Sequence, residues 1–383
     1  MYNILLALSL ILILCILYAL FGHILLTLFL SLLSKSSIKK EEDYLPEVCF
    51  MIAAFNEEAF MAKKLRNTLG LDYPKDLIKI VVVSDGSTDQ TDEIVRGFEN
   101  EGIELVRVEG RVGKTEARNQ AIKERTEDII IFSDATAIYE KDAVRKLVRN
   151  FADETIGMVS GKLSYFDQTS SHMGRATKLY WSYEQLIKKS QSRLRTLTGA
   201  VGCINAFRRE LYYHLPANVI EDFTFPIMVV AQGKRVIFEP EAIAYERTTQ
   251  NSSQEFKMRL RVIRGGMTGF RFALPKLILA KQWSAIIQLF SHKVMRWLMP
   301  IFLILLFLVT LLGAFAETHS ILFKTLFILQ TIAYGLGLLG IYFPKNKIMG
   351  FANYFLIMNS ASLSALIKTF SEELEATWDT NIY

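Results

Sequence analysis

The chain has 383 residues, about half of them apolar, and a net charge of only +5 at neutral pH. That is too long for one average domain and too hydrophobic for a wholly soluble protein. Its Lys and Arg residues are scattered or flank apolar runs and do not form a stripe interleaved with aromatics, which argues against nucleic acid as a partner.

Residues 1–34 contain no Lys, Arg, Asp or Glu. The run is longer than a secretory core, lacks a clear small-residue cleavage site and is followed by Lys35, Lys39 and Lys40. It is expected to be a retained transmembrane anchor. Basic residues favour the cytoplasmic side, so residues from Lys35 to about Arg296 are expected to be cytosolic. Residues 35–46 have the composition of a linker. Cys15, Cys49 and Cys203 lie in or beside apolar runs without metal-ligand spacing, as small buried hydrophobes in a reducing compartment do.

From about 46 to 240, β-branched runs at 48–54, 78–84 and 129–133 alternate with helical patterns at 57–70, 89–99 and 114–125. The alternation predicts an α/β fold with a mainly parallel sheet covered by helices. Ligands of such sheets bind beyond the carboxyl ends of the strands.

Three of these strand ends carry polar clusters. The first is Asn56-Glu57-Glu58, which an Asn N-cap followed by dipole-compatible acids also explains. The second is Asp85-Gly86-Ser87-Thr88-Asp89, a turn and cap whose carboxylate is also suited to a ribose or base. The third, Ser133-Asp134-Ala135-Thr136, puts Asp134 where an oxygen ligand for a hard cation is expected. Gly110-Arg-Val-Gly-Lys-Thr115 suggests a phosphate-cradling loop, but the required earlier glycine is Val108 and the match fails. Lys114 and Arg118, one helical turn apart, still suit a phosphate or a solvated basic face.

Further on, Glu221-Asp222 stands among apolar residues, where partial desolvation would tune a carboxylate to take a proton. Arg261 and Arg264 lie on adjacent helical turns and suit a diphosphate or a buried carboxylate. Residues 270–296 mix Phe, Leu, Ile and Trp with basic residues, as an interfacial amphipathic segment does. Stretches 297–316, 325–344 and 348–367 again lack Asp, Glu, Lys and Arg, and each is long enough to span a bilayer. The last holds Asn353, Asn359 and several serines, which leaves two or three C-terminal spans open.

In this order the clusters resemble the family-2 inverting glycosyltransferases of GT-A fold, especially the membrane-embedded group related to cellulose, hyaluronan and poly-N-acetylglucosamine synthases. Six pieces carry the resemblance over nearly the whole chain: Asn56-Glu57-Glu58, Asp85 to Asp89, Gly113-Lys114 with Ala117-Arg118-Asn119, Asp134-Ala135-Thr136, Ala206 to Arg209, and Glu221-Asp222.

The resemblance implies a Rossmann-like GT-A domain over 46–268, after an anchor over 1–34. An interfacial segment over 270–296, a membrane region over 297–367 and a tail over 368–383 follow. It implies that Asn56, Glu57 and Asp85 hold the nucleoside, that Lys114, Arg118, Arg261 and Arg264 attend the diphosphate, and that Asp134 binds Mg²⁺ or Mn²⁺. Asp222, with Glu221 beside it, would be the general base. Two departures stand out. The family's Asp-x-Asp has Thr136 at its second acid, and the Gln-x-x-Arg-Trp of processive synthases is Arg261-x-x-Arg264-Gly265 here.

The resulting expectation is a multi-pass inner-membrane enzyme with a cytoplasmic catalytic domain. It would pass a hexose or N-acetylhexosamine from a nucleotide-diphosphate sugar to a glycan or lipid-linked acceptor for surface polysaccharide or glycolipid synthesis, with export or synthase subunits as candidate partners. The alternatives are single-sugar transfer to a polyprenyl phosphate or diacylglycerol, or a non-catalytic sugar-nucleotide-binding partner in a synthase complex.

Overall fold

A computed structural model describes the chain except for residues 35, 167–171, 195–196, 248–251, 318–319, 344–345 and 372–383, and except for the side chains of 172–181, 252 and 370. Most of the tail expected over 368–383, and Lys35, therefore lie outside the described residues.

Two helices, α1 (Tyr2–Leu17) and α2 (His23–Leu33), are joined by a π-helical turn at Tyr18–Gly22. The α/β layer then follows as β1 (Val48–Ala54), α3 (Glu58–Leu69), β2 (Ile78–Asp85), α4 (Thr91–Arg96), β3 (Ile103–Val108), α5 (Lys114–Ile122), β4 (Ile129–Asp134), β5 (Ile138–Tyr139), α6 (Ala143–Val148) and β6 (Ile156–Tyr165). After α7 (His172–Arg193) come β7 (Ile204–Arg208), α8 (Glu221–Ala231) and β8 (Arg235–Glu246). The chain continues through α9 (Ser252–Leu279), α10 (Trp283–Leu289), a second π-helical turn (Phe290–Val294) and α11 (Met295–Trp297) to α12 (Met299–Ala316), α13 (Ile321–Leu339) and α14 (Lys347–Ser371).

The strands form one eight-stranded sheet in the order β3-β2-β1-β4-β7-β6-β8-β5. β3, β2, β1 and β4 are mutually parallel, β6 and β8 are parallel, and β7 and β5 run antiparallel to their neighbours. β1 is buried along its whole length, as a strand covered on both faces must be. Its period of two divides the core: Val48, Phe50 and Ile52 face α3 through Met61 and Leu65, whereas Cys49 and Met51 face α5, α8 and α9. Cys49 and Cys203 are buried free thiols in these layers.

Register brings the expected strand ends together. Ala53 pairs with Asp134 and Ala54 with Ser84, so β1, β2 and β4 deliver their polar clusters to one edge.

Among the described residues, four helical stretches are long and apolar enough to cross a membrane: Tyr2–Leu33, Met299–Ala316, Ile321–Leu339 and Lys347–Thr369. Asn359 Nδ2 of the last donates to Phe355 O of its own helix at 2.8 Å, whereas Asn353 and Ser362 find partners on neighbouring helices. Asn353 Nδ2 donates to Gly337 O at 3.0 Å, and Ser362 Oγ to Trp297 O at 2.9 Å. Glycines let the helices approach: a Cβ at Gly337 would lie 2.3 Å from Leu356 Cδ1, and one at Gly340 2.2 Å from Met349 O. Close approach over small residues and polar bonds between helices are how membrane helices associate. The boundary expected between 268 and 270 falls inside α9, a single helix whose first turns meet Tyr354 of α14 and whose later turns pack on α8 and the sheet core.

Candidate active site

The first two loops are stitched to each other. Asn56 stands ahead of α3 with φ 54°, and its Oδ1 accepts from Thr88 N at 2.8 Å. Its side chain therefore joins the neighbouring strand's loop and does not cap α3. Glu57 N donates to Thr91 Oγ1 at 2.8 Å, Glu58 N to Asp89 Oδ2 at 3.1 Å, and Gln90 N returns to Glu58 Oε2 at 3.0 Å. Burial, reinforced by Asp134, Asp89 and Glu246, pushes the Glu57 carboxyl up to about 7.

Asp85 turns toward the 110–113 loop. Its Oδ1 accepts from Val112 N at 2.8 Å and its Oδ2 from Gly113 N at 3.0 Å. The amides of the phosphate-loop lookalike are thus spent on a carboxylate. Gly86 is required beneath them: with φ 68°, any Cβ there would sit 2.3 Å from Gly110 O.

At the centre Lys114 Nζ donates to Asp134 Oδ1 at 2.5 Å, and Arg118 Nη2 reaches the same oxygen at 3.3 Å. Arg118 also pairs with Glu221 and donates to Ser133 O at 2.8 Å. Its side chain is wholly buried, over the Phe132 ring. Arg118 therefore acts through Asp134 and Glu221 and presents no face to a ligand. Asp134 keeps about a third of its side chain open (32%). Burial raises its carboxyl, but Lys114 and Arg118 outweigh that and hold it below the usual range.

The two acids at the start of α8 have different surroundings. Glu221 is tied to Arg118, with Lys114 Nζ at 3.8 Å. The Asp222 carboxylate makes no hydrogen bond among the described residues. Burial raises its pKa, while Lys114, Lys188 and Arg261 act against that rise. Asp222 is packed closely on one side: a Cβ at Gly202 would lie 3.2 Å from Asp222 Oδ2, and Ala200 N donates to Asp222 O at 2.8 Å. Arg264 lies one turn beyond Arg261 on α9, beside the contact where Gly265 packs on Ile220.

Two contributors went unnoticed in the sequence. Glu246 ends β8, receives a hydrogen bond from Thr136 Oγ1 at 3.4 Å, and is pushed up to about 7 by burial and by Asp134. It obeys the same strand-end rule as Asp134. Lys64, buried in the middle of α3, donates to Ser133 Oγ at 2.7 Å and Ala137 O at 2.6 Å, bracing the loop that carries Asp134.

Among the described residues no three His, Cys, Asp or Glu side chains converge into a cation cage. One partly open carboxylate with a hydroxyl nearby still fits Mg²⁺ or Mn²⁺, which commonly take one or two protein carboxylates and complete their shell with water and substrate phosphates.

Residues 49–215 match the family model described as glycosyl transferase family 2. These residues form a family-2 glycosyltransferase domain. The chain is 30% identical over 235 residues to the poly-beta-1,6-N-acetyl-D-glucosamine synthase of Staphylococcus aureus, covering 58% of this chain and 55% of that one. The Staphylococcus epidermidis protein of the same name is 25% identical over 236 residues, covering 60% of this chain and 57% of that one. The chain therefore spans little more than half the length of these curated relatives. Among solved structures, a mannosyltransferase from Pyrobaculum calidifontis, in complex with GDP-Man and Mn²⁺, superposes with a TM-score of 0.71. It covers 95% of this chain and 99% of its own at 23% identity, and so bears on the fold. The glycosyltransferase domain is of GT-A type, related to the poly-N-acetylglucosamine synthase group.

Proposed function

We propose that this family-2 glycosyltransferase moves a hexose or N-acetylhexosamine from a nucleotide-diphosphate sugar to a glycan or lipid-linked acceptor at the cytoplasmic membrane face, inverting the anomeric centre. The carrying observation is a single edge that holds Asp222, a carboxylate of raised pKa with no hydrogen bond among the described residues, beside the Lys114–Asp134 pair. The names of the staphylococcal relatives support a polysaccharide product and an N-acetylhexosamine donor.

In this reading the Asn56–Thr88 and Asp85–Gly113 loops form the nucleoside end of the cleft, with Glu57 available as acceptor or donor near neutral pH. Lys114 attends the diphosphate. Asp134 would hold the divalent cation, with Thr136 and Glu246 alongside, and a bound cation would supply charge neutralisation for the departing diphosphate. Arg118 and Lys64 brace the Asp134 loop through Ser133 from opposite faces of the sheet. Asp222 takes the proton from the acceptor hydroxyl as its oxygen bonds to the anomeric carbon, and the carbon–oxygen bond to the diphosphate breaks on the opposite face.

Cytoplasmic placement follows from Lys39 and Lys40 after the first span and from His292, Lys293 and Arg296 before the second. A single-transfer outcome is favoured at Gly265, where contact with Ile220 leaves no room for the aromatic found in processive synthases.

The test is release of nucleoside diphosphate by the purified, detergent-solubilised chain over a panel of donors with Mn²⁺ or Mg²⁺. Metal-dependent release from one donor, lost in Asp134→Ala and Asp222→Asn, supports the reading. No release from any donor, with native lipids and glycans present, overturns it.

A further inference from the structure

On the membrane side of Asp222, a second set of charges converges from three elements. Glu184 on α7 pairs with Arg296 of α11, with Lys293 Nζ at 3.9 Å and His292 Nε2 at 3.6 Å. Lys188, one turn along α7, is buried and lies within electrostatic reach of Glu184, Lys293 and Asp222. Lys293 also feels the charges of Asp222 and of Arg259, itself paired with Glu255 at 2.8 Å, and Trp297, next to Arg296, packs on Phe223, next to Asp222, with ring centroids 5.8 Å apart. With Lys188, Lys293 and Arg296 set against Glu184 and Asp222, the group is net positive among the described residues.

Burial pushes the Lys188 ammonium down to about 8 and lowers that of Lys293. Burial of Glu184 acts the other way, but Arg296, Lys293 and His292 outweigh it and keep that carboxylate ionised. Positive charge is thus held at a desolvation cost that an arriving anion would relieve.

The surroundings are rigid and bordered by apolar surface. Thr198 Oγ1 lies 2.9 Å from His292 Nδ1, His23 Nδ1 is 2.8 Å from Ser291 Oγ, and the two imidazoles stack at 4.9 Å. These contacts fix α2 and the Thr198 loop against the π-helical turn at 290–294, and Gln191 of α7 lies 3.3 Å from both His23 Nε2 and His292 Nδ1. The Lys293 and Arg296 side chains keep 24% and 21% of their surface, so the cluster opens outward. Trp283, Ile287 and Phe290 on the same segment are exposed and continue the apolar surface of the span that begins at Met299. A lipid can lie along that surface with its headgroup at the cluster.

We propose that Lys188, Lys293 and Arg296 bind the phosphate of a lipid-borne acceptor and thereby present a hydroxyl, a few bonds from phosphorus, to Asp222. The inference rests on the transferase reading and narrows its acceptor to a lipid phosphate that carries a sugar or polyol hydroxyl. The bond made is from that hydroxyl oxygen to the donor's anomeric carbon, the bond broken is from that carbon to the nucleoside diphosphate, and the hydroxyl proton goes to Asp222. The acceptor phosphate itself is unchanged.

Binding to the full chain in detergent, without donor, tests the site apart from turnover. The probes are a monosaccharide linked through phosphate to a short prenyl chain, the same monosaccharide on a prenyl ether, and the free sugar phosphate. The prenyl-phosphate probe is expected to bind at least tenfold tighter than the other two. Lys188→Met and Lys293→Met should each weaken it tenfold or more without affecting the ether, and Lys188→Arg should restore it. Equal affinity for phosphate and ether probes, or equal losses on both in the Met variants, would overturn the anion site. A sugar phosphate that binds as tightly as the lipid-borne probe would overturn the lipid source. Donor-dependent release of nucleoside diphosphate, scored separately with Asp222→Asn, reports on the transferase reading, so failures of the two are distinguishable.

Discussion

Lys114 Nζ stands 2.5 Å from Asp134 Oδ1, so a lysine already neutralises the carboxylate that would meet the metal. A divalent cation entering alone must share or displace that bond, whereas a cation arriving with a diphosphate brings new anionic partners for Lys114. Lys114→Met is therefore expected to bind Mn²⁺ about tenfold more tightly in the absence of nucleotide, a change of roughly 1.4 kcal/mol. The same variant should bind nucleoside diphosphate at least about tenfold more weakly, since a point cation for the phosphates is lost. Titration calorimetry with metal alone and then with nucleotide checks both signs. Weaker binding of metal alone would show that Lys114 positions Asp134 instead of competing for it.

Asp222 and Glu221 are adjacent in sequence, but their surroundings predict opposite phenotypes. Asp222→Asn removes a carboxylate with no hydrogen bond among the described residues, so donor binding and melting temperature should hold. Turnover should fall by about 10²–10⁴, the usual contribution of a positioned general base. Steady-state kinetics with a fixed donor would reveal this as a change in kcat with KM preserved.

Glu221→Gln should instead cost stability. Arg118 is wholly buried, and losing the Glu221 charge leaves its guanidinium with Asp134 alone as a close anionic partner among the described residues. Breaking a buried pair from one side costs about 3–5 kcal/mol. The lower end is expected here because Asp134 remains at 3.3 Å. Thermal melts of Glu221→Gln and Asp222→Asn side by side separate the two residues, and equal melting temperatures would refute the division of roles.

The strand ends were legible because β1, β2 and β4 are continuous apolar runs closed by polar residues, a pattern that reports both the strand and its functional edge. β8 was not, since Glu239 and Glu241 interrupt its apolar pattern, and Glu246 was missed with it. The burial of Arg118, expected at the diphosphate or on a solvated face, and of Lys64 was hidden for another reason. Each is a basic residue on a helix, where a solvated face is the ordinary reading, and only the packing of α5 and α3 on opposite faces of the sheet shows that both are buried against the Asp134 loop. Likewise Asn56 has the composition of a cap, but the parallel pairing of β1 with β2 places Thr88 nearer to its side chain than the helix amides.

Glu57 provides a pH signature. Burial pushes its carboxyl from the ordinary 4.5 up to about 7 in the folded chain. Between these values the folded state retains a proton that the unfolded state has released, so stability declines as pH rises through this window. Chemical denaturation at pH 5 and pH 7.5 without metal should show that decline, and Glu57→Gln should flatten it. An unchanged slope in the variant would assign the decline to another group, with Glu246 next in line.

The absence of an aromatic after Arg264 has a steric cause that can be tested. α9 crosses α8 so closely that a Cβ on Gly265 would lie 2.2 Å from Ile220 Cγ1, and one on Gly269 would lie 2.1 Å from Thr224 Oγ1. Overpacking of this kind typically costs about 1–3 kcal/mol, so Gly265→Ala should lower the melting temperature. Ile220 immediately precedes Glu221 and Asp222, and any shift that relieves the clash moves the proposed base. Gly265→Ala is therefore expected to reduce kcat by more than its stability loss implies, measured well below the melting temperature. Pairing it with Ile220→Val, which trims the clashing side chain, should recover part of both. If the double variant regains stability but not kcat, Gly265 serves the acceptor directly and not through the position of Asp222.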